Sequence, residues 1–125
     1  MKRHPILSSK SVFEGRVFDV VVDEIRLPDG STATREVVRH PGAVAVVAVL
    51  DGQVLMVRQN RHAVGQDLLE LPAGKLDQEG EDAQTCARRE LQEETGYRCG
   101  TLEPLVGFLA SPGFSDEKIQ LFFTA

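Results

Sequence analysis

The sequence has no long apolar run, only two cysteines, and fewer basic than acidic residues, 14 against 19. Its longest apolar run, residues 43–50, is far shorter than the roughly 20 residues that a membrane-spanning helix needs. Its net charge of −5 leaves no surplus of Lys and Arg to neutralise a nucleic-acid backbone. We therefore expect neither a membrane span nor a nucleic-acid partner.

The two cysteines, Cys86 and Cys99, indicate a reduced protein. Nothing at the N-terminus combines a basic start with an apolar stretch and a small-residue cleavage site, so a cytoplasmic location is expected. The length of 125 residues and the hydrophobic content of 42% suit one compact domain. An acidic protein of this kind can still bind an anionic small molecule if a divalent cation and local arginines offset the repulsion.

Most of the chain reads as short strands separated by turn residues. Residues 16–27 predict a strand that turns at Pro28-Asp29-Gly30 and pairs with residues 33–40. The continuous apolar run 43–50 predicts a strand buried on both faces at the centre of the sheet, and Asp51-Gly52 predicts a hairpin after it. Further strands are predicted over residues 53–57, 67–71, 102–110 and 118–124.

One helix is predicted over residues 82–95, after Pro72-Ala73-Gly74 has ended the preceding strand. Glu81 and Asp82 place negative charge at its positive N-terminal end. Gly96 stands where a left-handed C-terminal cap belongs. Both ends of the helix are therefore specified locally.

Glutamates and small residues share one stripe of this helix when residues are spaced about 100° apart. Small residues allow close approach to a sheet, so the acids on the stripe should point at the sheet end, where ionised carboxylates need a partner. Mg²⁺ prefers such oxygens and can polarise a phosphoryl group. The alternative is a solvated charged face, the usual origin of helical charge runs. The stripe contains Ala83, Cys86, Ala87, Glu90 and Glu94, with Glu93 at its edge.

A longer motif favours the metal site. Gly74-Lys-Leu-Asp-Gln-Glu-Gly-Glu81, then seven residues, then Arg89-Glu-Leu-Gln-Glu-Glu-Thr-Gly-Tyr97 resembles the Nudix box, and the match from Glu81 onward is complete. The motif fixes glycines, acids, an arginine and an aliphatic residue over a long stretch, so a chance match is very unlikely. Six residues separate Gly74 from Glu81, one more than is usual in the family.

The resemblance implies an α/β fold, a Nudix-type α/β/α sandwich with a mixed central sheet. Residues 1–42 would form a β-rich N-terminal segment that dimerises, and residues 43–125 the catalytic domain. Family members usually continue past the strand ending near Ala125, so the chain is expected to be short at its C-terminus. That further segment often carries the general base, which leaves Glu93 or the pair Asp116-Glu117 as substitutes.

The resemblance also implies roles for the motif residues. The cofactor would be Mg²⁺, with Mn²⁺ as the alternative, held by three glutamates and one main-chain carbonyl. The arginine would orient the carboxylates, and the glycine would let the backbone approach metal and phosphates. These residues are Glu90, Glu93, Glu94 and Ala73 for the metal, Arg89 for orientation and Gly74 for the approach.

Within the family, the chain is most similar to bacterial ADP-ribose pyrophosphatases, which form homodimers with a shared substrate site. Leu69-Glu-Leu-Pro-Ala-Gly74 and Arg58-Gln-Asn-Arg61 resemble their approach to the box. Arg35 and Arg61 match positions that contact ADP-ribose, although a single arginine is more often a surface residue. Ser111-Pro112-Gly113-Phe114 resembles their marker proline, although Pro-Gly would form an ordinary turn anyway.

The expected function is Mg²⁺-dependent hydrolysis of ADP-ribose to AMP and ribose 5-phosphate. A nucleotide sugar, a dinucleoside polyphosphate or an oxidised nucleotide is the alternative substrate within the family. Two further alternatives are a domain that binds ADP-ribose without cleaving it and a fragment that folds and binds metal but turns over substrate poorly. In each case the expected partner is a small nucleoside diphosphate compound.

Overall fold

The computed structural model describes residues 3–125, which contain ten β-strands and one α-helix. They group into two compact units, residues 3–41 with 109–117 and residues 42–108 with 118–125, called here the first and second unit. The elements are β1 (Ile6–Glu14), β2 (Asp19–Arg26), β3 (Thr32–Arg39), β4 (Ala43–Leu50), β5 (Gln53–Val54), β6 (Val57–Arg61), β7 (Gln66–Glu70), β8 (Ala73–Lys75), α1 (Ala83–Thr95), β9 (Glu103–Leu109) and β10 (Lys118–Thr124).

The first unit is built on an antiparallel sheet in the order β1-β2-β3. The predicted hairpin is confirmed, because β2 and β3 pair in continuous register and Leu27 N donates to Ser31 O at 2.8 Å across the turn. The strand β2 begins at Asp19 rather than at the predicted Arg16. Its inward face buries Asp23 and Ile25.

Residues 109–117 belong to the first unit because they bind β3 through the backbone. Val38 N donates to Phe114 O at 2.7 Å, and Asp116 N donates to Val38 O at 3.1 Å. The Asp116 carboxylate also accepts a hydrogen bond from His40 N at 2.8 Å. Pro112 lies in the turn that this pairing holds.

The second unit is built on a mixed sheet in the order β5-β4-β10-β9, with β8 also paired to β4. The strand β4 runs parallel to β10 and antiparallel to β5 and β8, which confirms its central place. The prediction that β4 is buried on both faces is wrong. Val44, Val46 and Ala48 are buried, whereas the residues between them are half-buried, because α1 packs against one face.

Two other predictions about strands need correction. Asp51-Gly52 does form the hairpin turn with positive φ angles, but β5 ends at Val54, and Val57 opens a separate ribbon of β6 and β7. Pro72-Ala73-Gly74 does not simply end a strand, since Ala73 begins β8 opposite Ala45. Pairing with the central strand overrides the local preference of glycine for turns.

The helix matches its prediction at both ends. The Asp82 side chain caps it by accepting from Thr85 N at 2.7 Å, and Gly96 adopts the left-handed conformation with φ +79. No helix in the described part of the chain is long and apolar enough to cross a membrane. The core that α1 shares with the sheet contains Val44, Val46, Ala48, Cys86, Ala87, Leu91, Leu102 and Phe122.

Candidate active site

The candidate site is formed where α1 meets the short strand β8. A Cβ added at Gly74 would overlap the carboxyl group of Glu90, so that glutamate occupies space that only a glycine leaves open. The Glu90 side chain is 16% exposed, as expected for an acid on the inward stripe of the helix. Strand and helix therefore approach closely enough to hold a carboxylate against the backbone.

Glu94 lies one turn further along the helix, beside the same strand. Its Oε2 accepts a hydrogen bond from Ala73 N at 3.3 Å. Burial raises the pKa of Glu94, and the negative charges of Glu90 and Glu70 act in the same direction. Two carboxylates thus share one end of β8, and bringing them together has an electrostatic cost that a bound cation would relieve.

Arg89 links the loop before the helix to the acids on it. Its Nε and Nη2 donate to the two carboxylate oxygens of Glu81 at 2.8 and 3.0 Å. Its Nη1 lies 3.0 Å from Glu93 Oε2 and 3.1 Å from Glu90 Oε1. The bond to Glu81 is the main reason that the pKa of Arg89 is raised and that of Glu81 lowered. One guanidinium therefore holds three carboxylates.

Glu81 contacts Arg89 even though the loop before it contains one residue more than is usual in the family. Its side chain is 10% exposed and meets Arg89 in the two-point geometry that guanidinium and carboxylate favour. The sequence left this role open, because the contact depends on how the loop folds. Glu81 supports Arg89 from the side away from Glu93.

The three glutamates divide between two neighbours. Glu90 and Glu94 lie against β8, whereas Glu93, whose side chain is 58% exposed, is held by Arg89. Over residues 3–125, no three His, Cys, Asp or Glu side chains are already arranged around one metal position. These three glutamates nevertheless suit a hard divalent cation, because all of their donor atoms are oxygens. The negative charges of Glu90 and Glu94 also lie close together. Arg89 Nη1 contacts both Glu90 and Glu93, so it links Glu93 to the pair of acids beside β8.

Arg61 and Glu70 form a second ion pair beside these acids. Arg61 Nε and Nη2 donate to the two oxygens of Glu70 at 2.7 and 2.6 Å, tying β6 to β7. The bond raises the pKa of Arg61 and lowers that of Glu70, and the charge of Arg61 also acts on Glu94. Glu70 was missed at the sequence level, where its only signal was its place in the stretch Leu69-Glu-Leu-Pro-Ala-Gly74.

Arg35 and Pro112, the other two predicted substrate contacts, lie in the first unit. Arg35 is exposed on β3, its Nη1 donates to Thr34 O at 2.9 Å, and it lines a cavity with Asp23 and Arg39. Pro112 stands in an exposed turn. The structure brings Arg61 and Gly74 together with the glutamates, within one unit, and holds Arg35 and Pro112 in the other.

Cys86 behaves as the predicted core residue. It is fully buried in α1, and its Sγ lies 3.5 Å from Lys75 O. Burial raises the pKa of this thiol to about 11, so the thiolate needed for nucleophilic chemistry is disfavoured. Catalysis through Cys86 is therefore not indicated.

The fold and the site define a class, a mixed α/β protein in which an acidic helix faces a short strand of the sheet. The sequence matches the NUDIX domain over residues 38–124 and the nucleoside diphosphate sugar hydrolase N-terminal domain over residues 6–38. The chain belongs to the Nudix family. The prediction made from the box is thereby confirmed.

Two named relatives match most of this chain. Over 117 residues it is 48% identical to a methanol dehydrogenase activator from Bacillus methanolicus and 44% identical to an ADP-ribose pyrophosphatase from Bacillus subtilis (strain 168). Each match covers 93% of this chain but 63% of the relative, so the chain spans less than two thirds of their length.

A solved structure of an ADP compounds hydrolase superposes with a TM-score of 0.85. The match covers 99% of this chain and 68% of that one, at 22% sequence identity. At that identity the likeness shows a shared fold. The predicted α/β class with a mixed sheet is confirmed.

Proposed function

We propose that this chain hydrolyses the pyrophosphate bond of ADP-ribose, releasing AMP and ribose 5-phosphate. The observation that carries the proposal is the placement of Glu90 and Glu94 against β8, with Arg89 fixed behind them by Glu81. The relative that is 44% identical and named an ADP-ribose pyrophosphatase supports this choice of substrate.

Glu90, Glu93, Glu94 and the Ala73 carbonyl would hold Mg²⁺, or Mn²⁺ in its place. When bound, such an ion neutralises phosphate oxygens and makes phosphorus easier to attack. Arg89 keeps the carboxylates in position, since one guanidinium contacts both Glu90 and Glu93. The absence of a side chain at Gly74 leaves room for that arrangement.

The reaction itself adds one water across the diphosphate. The water oxygen forms a new bond to one phosphorus, and the bond from that phosphorus to the bridging oxygen breaks. The bridging oxygen keeps the electron pair and leaves with the other phosphate, and the protons of the water pass to the solvent. Arg61 is placed to balance charge beside the acids, although its guanidinium is shared with Glu70. Arg35 and Pro112 are proposed to contact the substrate as well.

The test is product analysis after incubation of the protein with ADP-ribose. Equal amounts of AMP and ribose 5-phosphate should form with Mg²⁺ or Mn²⁺, and EDTA in excess should stop their formation. A panel with a nucleotide sugar, a dinucleoside polyphosphate and an oxidised nucleotide measures the preference by kcat/KM. Faster cleavage of another member of the panel would replace ADP-ribose as the substrate.

We further propose that the chain forms a homodimer through residues 1–42. The strand β1 is exposed along its whole length, yet it carries Ile6, Leu7, Val12 and Phe13, each between 41% and 54% exposed. Exposed apolar side chains on an edge strand favour association with another chain. The match of residues 6–38 to a named N-terminal domain supports a distinct role for this segment.

A second candidate function is regulation of another enzyme. It is favoured by the relative at 48% identity, which is named an activator of methanol dehydrogenase. A domain of this kind would bind the nucleotide with or without cleaving it. Isothermal titration with ADP-ribose, run together with the product assay, separates hydrolysis from regulation. Binding of ADP-ribose without formation of products supports the regulatory role.

A further inference from the structure

Two arginines on and after α1 are not neutralised by any acid. Arg88 lies on the helix and Arg98 in the segment that follows it, and both are exposed. Within residues 3–125 no salt bridge joins either of them to a carboxylate, whereas Arg61 and Arg89 are each paired with one. Acids outnumber bases in this chain, 19 to 14. Two positive charges are therefore left available to a ligand.

Arg88 is held in place while most of its hydrogen-bond donors stay open. Its Nη1 donates to Cys99 O at 3.3 Å and lies 3.5 Å from Cys99 Sγ. A guanidinium has five N–H donors, and the Nε and Nη2 of Arg88 donate to no atom of the described residues. The carbonyl orients the group but carries no charge that would cancel its own. Arg88 thus presents an oriented guanidinium to a ligand.

Both arginines line one small cavity, called here the arginine cavity. Gln92, one helical turn after Arg88, and Cys99 complete its lining, which contains no acid from the described part of the chain. Its volume is about 170 Å³. Since a water molecule occupies about 30 Å³ in the liquid, this space holds a small oxyanion with a few waters. It is well below the roughly 300 Å³ at which sites for larger molecules begin.

We propose that the arginine cavity binds a phosphate dianion, either free or as the terminal group of a small ester. Two unpaired positive charges match a dianion, which also removes the repulsion between them. Guanidinium groups pair with phosphate oxygens in a two-point geometry, and the Gln92 side-chain amide supplies a further donor. All the lining residues belong to the second unit. None of them has a part in the proposed hydrolysis, so the inference is independent of it.

The test is a titration of isotope-labelled protein with inorganic phosphate, followed by NMR. EDTA and constant ionic strength exclude binding through a metal and general salt effects. The signals of the Gln92 side-chain amide and the Arg98 backbone amide should shift and reach saturation. A parallel titration with ribose 5-phosphate distinguishes the sources, since the tighter ligand identifies free phosphate or an ester. Acetate, which carries one charge, should cause no shift that saturates.

Three variants show whether the arginines are responsible. Arg88→Gln and Arg98→Gln should each weaken phosphate binding by about tenfold or more, as the loss of a hydrogen bond between charged groups implies. Arg26→Gln is the matched control, because it removes an exposed arginine of β2 that donates to a backbone carbonyl, and it should retain the affinity. Thermal unfolding of each variant shows that it is folded. The proposal is overturned by the lack of a saturable shift with phosphate, by an equal response to acetate, or by unchanged affinity in Arg88→Gln and Arg98→Gln.

Discussion

Gly74 has only a hydrogen atom in place of a side chain, and this leaves room for the carboxylate of Glu90. No other side chain fits between β8 and Glu90, since even a methyl group would overlap the acid. The resemblance to the Nudix box implied that this glycine lets the backbone approach metal and phosphates. The structure adds that it makes room for a glutamate.

Replacement of Gly74 by alanine should reduce kcat for ADP-ribose by about tenfold or more, because displacing a catalytic group by a fraction of an ångström is costly. Thermal unfolding should change much less, since the glutamate side chain can move aside. Gly100→Ala is the matched control, as a Cβ there meets nothing within 4 Å. Equal loss of activity in both variants would contradict the argument.

Glu94→Gln removes the charge of a residue that lies beside another acid. We expect turnover to fall by roughly 10²-fold or more, as for removal of one electrostatic contact to a reacting group. The free energy of unfolding should stay the same or rise, because repulsion from Glu90 is relieved. Steady-state kinetics and urea unfolding measure the two effects, with Glu103→Gln, an exposed acid on β9, as control.

The positions of the site residues could be predicted from the sequence only where their contacts depend on residues nearby in the chain. Helical spacing alone placed Glu90 and Glu94 on the inward stripe, and both meet β8. The pairing of Glu81 with Arg89 could not be derived, because it crosses a loop with an extra residue. Asp23 gave no signal, since an acid in a strand is usually on the exposed face.

At the scale of elements, local signals fixed the ends of the helix better than the strands. Asp82 and Gly96 cap α1 with their own side chain and backbone, so neighbouring residues contain the information. The strand β8 is formed by Ala73, Gly74 and Lys75, which favour no strand by themselves. The strand β8 forms because it pairs with β4, and β4 is distant from it in the sequence. Neighbouring residues therefore do not predict it.

The β6–β7 ribbon should be sensitive to acid through its ion pair. Arg61 lowers the pKa of Glu70 below its ordinary value of 4.5, so the folded state holds this proton less tightly than the unfolded state. The stabilisation is therefore complete above pH 4.5 and is lost as the pH falls through the lower folded value. For a pair open to solvent it amounts to about 1 kcal/mol or less.

Urea unfolding of Glu70→Gln against the unaltered protein tests this dependence. At pH 7 the variant should be the less stable, and the difference should shrink as the pH is lowered below the ordinary pKa of a glutamate. Glu103→Gln should show no comparable difference at either pH. A Glu70→Gln deficit that stays constant into acid would show that the pair does not act through its charge.

At the scale of the whole molecule, the apolar side chains of β1 lead to a prediction about association. Val12→Lys should convert the proposed dimer into a monomer, because a buried ammonium would need to be desolvated. Ser31→Lys, which adds the same charge in the turn between β2 and β3, should leave the mass unchanged. Sedimentation equilibrium over a range of concentrations measures both, and a monomeric unaltered protein would contradict the proposal.

The division into units follows contacts between distant parts of the chain. The expected boundary between residues 42 and 43, which separates a dimerisation segment from a catalytic domain, stays a prediction. The assignment of residues 109–117 to the first unit was not foreseen. It depends on backbone bonds from Val38 to Phe114 and Asp116, partners that are distant in the chain and carry no shared local pattern.

The parallel pairing of β4 with β10 has a consequence for synthesis on the ribosome. Ala43 lies opposite Ile119, so the most apolar strand of the chain is made long before the strand that completes its sheet. Such distant pairings slow folding because loop closure must precede any gain. The nascent chain therefore carries one edge of β4 without its parallel partner until β10 has been synthesised.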